Sequence, residues 1–263
     1  MGDTEPRTLK TVETTCQIID ALVERDGAGV TELANHLGLS KGAVYNHLAT
    51  LRKQEFVVKD GDDYRLSYLF FNYGMYSRNR TDLYNAAKPE LEKLTTEVGE
   101  YAHLMVEEFG KGVYLVKIQG KKGIADEYHV RKFEVRDPLH ASSTGKAILA
   151  HLPETRVDEI IDQQGLPQFT EHTITTREAL FDELERVREQ GYALNDEEEI
   201  RGARAVGAPI LDSRGDVLGS ISVSGPTSRI KDEDFHEHIP EKVMGTANVI
   251  EVSLETGQMY PQL

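Results

Sequence analysis

The chain has 263 residues, a single cysteine, no tryptophan and a formal net charge of −15. That length exceeds the usual single domain and predicts two, each able to bury its own core. A lone Cys16 rules out an internal disulfide, a cysteine-built zinc site or a dithiol redox pair. No stretch approaches the ~20 continuous apolar residues of a membrane span, and the amino-terminal MGDTEPRTLK has no apolar secretion segment, so a soluble cytoplasmic protein is expected.

The acidity is unevenly placed. Through Arg80 there are 10 Lys and Arg against 11 Asp and Glu, whereas the remainder carries 20 against 34. The amino-terminal part is therefore close to neutral, and free of a field that would repel phosphate.

Residues 10–25 predict a first helix with Val12, Cys16, Ile19, Leu22 and Val23 on one face, stopped by the glycines of DGAGV. Cys16 on that stripe is expected to be a buried, inert thiol. TELANHLGL predicts a short second helix with Leu33, Ala34 and Leu37 inward, ended by a left-handed Gly38. Ser40 then caps a third helix. Two helices joined by a turn of about three residues centred on a glycine have helix-turn-helix spacing.

In the third helix, LSKGAVYNHLATL, Val44, Leu48 and Leu51 recur at the period of one face and predict its core side. The opposite side carries Gly42, Asn46, Ala49 and Lys53, flanked by Tyr45 and Thr50, with none of the Glu that a merely solvated helix usually carries. A helical glycine costs ~1 kcal/mol relative to alanine, and small residues let a helix approach a surface closely. Asn can pair bidentately with adenine, Lys can reach guanine or phosphate, and helix N-termini offer amides to the backbone. Double-stranded DNA is the expected partner, with Thr31, Ser40, Lys41, Gly42, Tyr45, Asn46, Thr50, Lys53 and Arg65 as candidate contacts.

FVVKDGDDYRLS then predicts a hairpin turned at Asp60-Gly61, which completes a winged helix over residues 1–67. Its tip carries Asp60, Asp62 and Asp63, which avoid phosphates, so Lys59 and Arg65 at the stem are left for backbone contacts. Residues 68–99 read as a helical linker, with Leu83, Ala87, Leu91 and Leu94 in helical period and Pro89 near a helix start or a kink. The aromatics of YLFFNYGMY serve as linker core, as a dimer contact, or as both.

From Glu100 the texture changes. YAHLMVEEFGKGVYLVKIQGK predicts a hairpin turned at Gly110–Gly112, SSTGKAILAHL and residues 176–190 predict helices, and AVGAPILDSRGDVLGSISVSGP predicts two strands turned near Arg214-Gly215. The expected class is α+β, with an antiparallel sheet flanked by helices over 100–263.

Ser143–Lys146 fits Ser-x-x-Lys, but the Lys-Thr-Gly and Ser-Asp-Asn motifs of penicillin-binding or β-lactamase chemistry are missing, and His140 and Ala147 stand where a phosphate-binding loop needs Gly and Ser or Thr. His236 and His238, two apart, do not share a helix face for a metal. No catalytic residue, metal or cofactor is expected. NDEEEIRG reads either as a solvated loop or as a place where Glu198 or Glu199 tethers Arg204 or a ligand ammonium. A ligand-sensing adaptor without sequence-specific DNA binding is the rival to a DNA-binding regulator.

Three ordered motifs carry a resemblance to the IclR family of bacterial and archaeal transcriptional regulators: TELANHLGLSKGAVYNHLATL, LHASSTGKAILA, and GYALNDEEEIRGARAVGAPILD followed by GSISVSGPTSRI. The resemblance spans nearly the whole chain. It implies a winged helix, a dimerising linker helix and a GAF-like domain that binds a small effector, often an organic acid or an aromatic metabolite. It also implies a homodimer or tetramer on a pseudo-palindromic operator. By resemblance the effector pocket falls at Ser143, Thr144, Asn195, Ala203, Ala205, Ser222 and Ser224, with Asn195 and Ala205 standing where several members have an acid and a cysteine. Ser222 and Ser224 are two apart on a predicted strand, so both hydroxyls face one way.

Overall fold

The computed structural model describes residues 7–122 and 136–257. The chain divides into two compact units, one ending at Ser77 and the other beginning at Arg78.

In the first unit, helices α1 (Lys10–Glu24), α2 (Val30–Leu37) and α3 (Lys41–Lys53) enclose a core of Ile18, Leu22, Leu33, Val44 and Leu48. Gly38 ends α2 at φ 65°, and the Ser40 side chain caps α3 by accepting from the Ala43 amide. Val44, Leu48 and Leu51 are the buried face of α3, as the period predicts. The expected face of α1 is corrected in part. Leu22 is buried and Ile19 packs partly buried against the core as expected, but the other buried residues are Thr14, Ile18 and Ala21, while Val12, Cys16 and Val23 are exposed. The helix carries two apolar arcs on nearly opposite sides, and the one bearing small Ala21 packs inward.

Strands β2 (Val57–Asp60) and β3 (Asp63–Leu66) form the wing, joined through Gly61 at φ 60° and Asp62. A two-residue strand β1 (Ala28–Gly29), too short to be visible in the sequence, pairs with β3 and gives the order β1-β3-β2. Helix α4 (Leu69–Asn79) follows, and Phe70 and Tyr73 pack around Phe56 with ring centres at 5.4 and 6.0 Å.

The second unit is built on strands β4 (Tyr101–Glu108), β5 (Lys111–Ile118), β6 (Arg136–Asp137), β7 (Ala193–Asp196), β8 (Ala203–Leu211) and β9 (Val217–Pro226). They form one antiparallel sheet in the order β6-β5-β4-β9-β8-β7. Helix α5 (Asp82–Val98), within the stretch read as linker, is core here. Leu83, Ala87, Leu91 and Leu94 join Leu104, Val206, Ile221 and Val223 of the sheet and Val243 and Ile250 of the C-terminal helix α9 (Ile239–Thr256). Thr81 caps α5, Gly99 ends it in a left-handed conformation, and Pro89 lies in its interior.

The other sheet face carries a one-turn helix at Leu139–Ala141 and then α6 (Ser143–Leu149), α7 (Glu154–Gln164) and α8 (Arg177–Gln190). Met105 and Ala193 of the sheet pack there with Leu139, Ile148, Val157, Leu180 and Leu184. Among the described residues no helix is long and apolar enough to cross a membrane.

Candidate functional site

Every outward residue expected on α3 is exposed: Lys41, Gly42, Tyr45, Asn46, Ala49, Thr50 and Lys53. A Cβ on Gly42 would meet nothing within 4 Å, so internal packing gives no reason for glycine in this first turn. Thr50 donates its hydroxyl to the Asn46 carbonyl at 2.8 Å. The Thr15 hydroxyl of α1 and His47 Nδ1 are 2.8 Å apart and tie α3 to α1. His47 was missed because an intermediate position between the two faces carries no periodic signal. Thr31 and Ser40 are exposed at the starts of α2 and α3. Arg65 is exposed on β3 but pairs with Asp60 at 3.4 Å, so part of the stem charge is already answered by the wing's own acid.

The second candidate site lies between the sheet and α6. Strand alternation gives β9 two characters: Ile221 and Val223 join the apolar core, while Ser220, Ser222 and Ser224 point to the α6 side. In register, Tyr101, Ser224, Ala205 and Asn195 form one row across four strands, and His103, Ser222, Gly207 and Ala193 form the next. Ala203 lies two pairs beyond Ala205 on the same face, half-buried opposite Pro226.

Ser143 and Thr144 occupy the first turn of α6 and are buried. Ser142 caps that turn by accepting from the Gly145 amide at 3.0 Å, and Ser220 donates to the Thr144 carbonyl at 2.9 Å. Two glycines let the turn sit this close. A Cβ at Gly145 would fall 2.0 Å from the Leu139 carbonyl oxygen, and one at Gly207 would fall 2.7 Å from the Ser143 carbonyl. The sequence-expected residues of β7, β8, β9 and α6 are thus brought to one side of one sheet. Asn195 has a bracing part as well: its amide nitrogen donates to the Ala141 carbonyl at 3.0 Å and its oxygen accepts from the Glu198 amide at 2.9 Å.

A buried ion chain that sequence reasoning did not assemble adjoins this face. Lys146, 1% exposed, donates to Glu183 at 2.8 Å and to Glu198 at 2.6 Å, and Arg186 closes on the outer oxygen of Glu183 at 2.8 Å. Three segments far apart in sequence meet here, so spacing carried no signal. Lys146 is thereby held in ion pairs rather than standing ready to activate a serine. Arg204 bonds Asp196 and Asp232 and stacks on Phe235, and Arg201 pairs with Glu171, so of the two readings of NDEEEIRG neither a wholly solvated loop nor a Glu198–Arg204 tether is found, and buried Glu198 pairs with Lys146 instead.

The second oxygen of Glu198 is buried with no hydrogen-bond partner among the described residues. Burial raises the Glu198 pKa above the usual carboxylate range, outweighing the opposing pull of Lys146. Between the ordinary value and this raised one the folded chain holds a proton that the unfolded chain has released. Stability contributed by Glu198 is therefore fully present in acid and falls as pH rises through that window. Urea midpoints across pH 4–8 should show that fall reduced in Glu198→Gln; identical slopes in both proteins would contradict it. Burial lowers the His140 pKa from the ordinary imidazole value, against the opposing effect of the hydrogen bond between its Nε2 and the Pro167 carbonyl at 3.0 Å.

Comparison with known proteins matches residues 11–61 to the IclR helix-turn-helix domain and residues 76–252 to the family described as bacterial transcriptional regulator IclR C-terminal. A protein from Halobacterium salinarum named probable HTH-type transcriptional regulator ArcR is 41% identical over 96% of both chains. KdgR of Escherichia coli, also an HTH-type transcriptional regulator, is 31% identical over 90% of each. Among solved structures, the Thermotoga maritima IclR superposes with a TM-score of 0.73 at 28% identity, covering 94% of this chain and 99% of that one. An IclR homolog from Microbacterium hydrocarbonoxydans, solved with 4-hydroxybenzoate, superposes with a TM-score of 0.78 at 21% identity, covering 94% of this chain and all of that one.

Proposed function

Because the chain belongs to the IclR family of transcriptional regulators, we propose that it works in the cytoplasm as a homodimer or tetramer whose paired α3 helices read a pseudo-palindromic operator. A small organic or aromatic acid held between β9 and α6 modulates that binding. The observation that carries the DNA reading is Gly42: an exposed helical glycine with open space around it has no use within the fold, and it has one at a groove wall. Gly74 on α4 is open in the same way and neighbours exposed Phe71, which supports α4 as the contact between copies. The buried serines of β9 and the bound 4-hydroxybenzoate of the Microbacterium homolog support a small-molecule site.

Gly42→Ala should therefore separate stability from function. It is expected to stabilise the first unit by about 0.5–1 kcal/mol while weakening operator binding at least severalfold. Thermal melts beside gel shifts would check both, and unchanged operator affinity would remove the groove from the explanation. Asn46→Ala should cost about 1–3 kcal/mol of specific binding, with non-specific binding unchanged. If its preference among operator variants equals that of the parent, Asn46 reads no base. A gel shift with no specific complex at any salt concentration would favour the adaptor reading instead.

A further inference from the structure

The first unit leaves much of its apolar surface open. Of the fourteen large apolar side chains exposed among the described residues, nine belong to this unit, which ends at Ser77. Tyr45 is on the face of α3 assigned to DNA and Val58 is on the wing, so the other seven lie on or next to α1 and α4 and need another cover.

On α1 they form a narrow strip. Leu9, Val12, Cys16 and Val23 follow one another at spacings of three, four and seven, and half-buried Ile19 fills the remaining place. This is the 3-4 repeat of a helix that packs along another helix, and narrower than the stripe a helix turns to a globular core. On α4, Phe70 and Tyr73 pack around Phe56, while Tyr68 and Phe71 are left 90% and 63% exposed. A groove of about 570 Å³ joins the two surfaces: it starts at Leu22 and Val23 on α1, passes Val58 of the wing and reaches Tyr68.

The two surfaces differ in a complementary sense. The α1 strip offers short side chains, whereas α4 offers rings beside Gly74, where an added Cβ would meet nothing within 4 Å. Large side chains of one helix seat between short ones of another. Glu13 and Asp20 border the α1 strip, so two antiparallel α1 helices centred on Cys16 would set like charges against each other. Residues 67–77 carry no charged side chain and oppose nothing there.

Resting on the reading that copies meet through α4, we propose that Tyr68 and Phe71 of a second copy of this chain seat on the Val12–Cys16–Val23 strip of α1, and that a two-fold axis repeats the contact in the other direction. Across a two-fold axis a contact between unlike surfaces occurs twice. One arrangement thereby covers both surfaces on both copies, whereas α1 on α1, or α4 on α4, covers one surface and leaves the other in water.

The test uses the full-length protein, whose only cysteine, Cys16, lies within the strip. The parent, Phe71→Cys, and Phe71→Cys combined with Cys16→Ser are treated with a short bismaleimide and separated under denaturing conditions. Both positions are exposed, so the fold is retained in each. The expected result is a covalent dimer severalfold more abundant in Phe71→Cys, which has both thiols, than in either chain with one. Val12→Glu, also at an exposed position, should raise the dimer dissociation constant about tenfold or more in sedimentation, with unchanged circular dichroism, because its charge is buried only on association. Equal linking in the parent would set α1 against α1 and overturn the proposal. Equal linking in the Cys16→Ser chain would set α4 against α4, and overturn it while α4 stands as the contact between copies. A dimer that links in none of the three and is unaffected by Val12→Glu would overturn it and move the contact elsewhere, and a parent that sediments as a monomer would remove both readings.

Discussion

Lys146→Met is expected to destabilise the second unit by about 3–5 kcal/mol, because it leaves the Glu183 and Glu198 carboxylates facing a buried space with no cation between them. Glu183 keeps Arg186 at its outer oxygen, so the larger part of the penalty falls on Glu198, whose second oxygen already lacks a partner among the described residues. Adding Glu198→Gln to Lys146→Met should recover part of the loss, since a neutral amide is far cheaper to bury than a lone charge. Urea unfolding of the three proteins, followed in the second unit's transition, checks this. A Lys146→Met protein within 1 kcal/mol of the parent would show that water reaches the carboxylates and that the chain of ion pairs is not a sealed one.

Gly145→Ala should cost about 3 kcal/mol, the upper end of what inserting one methyl into a packed site usually does. The added carbon collides with backbone, the Leu139 oxygen at 2.0 Å and the Leu139 Cα at 2.5 Å, and backbone cannot swing aside as a flexible side chain would. The first turn of α6 must lift, taking Ser143 and Thr144 with it and straining the Ser220 bond to Thr144. The variant should therefore bind operator while responding less to effector, a combination read by gel shift with and without a stabilising compound. Full effector response would mean that Ser143 and Thr144 do not line the site.

The two halves of the molecule were legible to different depths. Helix α3 could be read closely because an N-cap, a turn glycine and an aliphatic period all marked the same thirteen residues. Helix α1 could be placed but not oriented, since Val12, Cys16 and Val23 make as regular a stripe as Thr14, Ile18 and Ala21, and only the partner helices decide between them. In the second unit Ser222 and Ser224 follow from strand parity alone. The pairing of β4 with β5 does not, because its register shifts between Leu104 and Met105 and register is a property of two strands rather than one. Lys146 was visible in STGK, but its meaning rests on Glu183 and Glu198, which no local rule places beside it.

Strand β9 presents Ser220, Ser222 and Ser224 to one layer and Ile221 and Val223 to the other, where α5 and α9 pack. Helix α5 continues along the chain from α4 with only Arg80 and Thr81 between them. A ligand that shifts the serines therefore shifts, through the same backbone, the apolar residues on which α5 is seated. If that movement changes operator affinity by some factor, equilibrium linkage requires operator DNA to change effector affinity by the same factor. Titrating the effector into the free protein and into its operator complex would measure one coupling constant from both ends, and the sense of that change would tell whether the bound ligand releases the promoter or holds it.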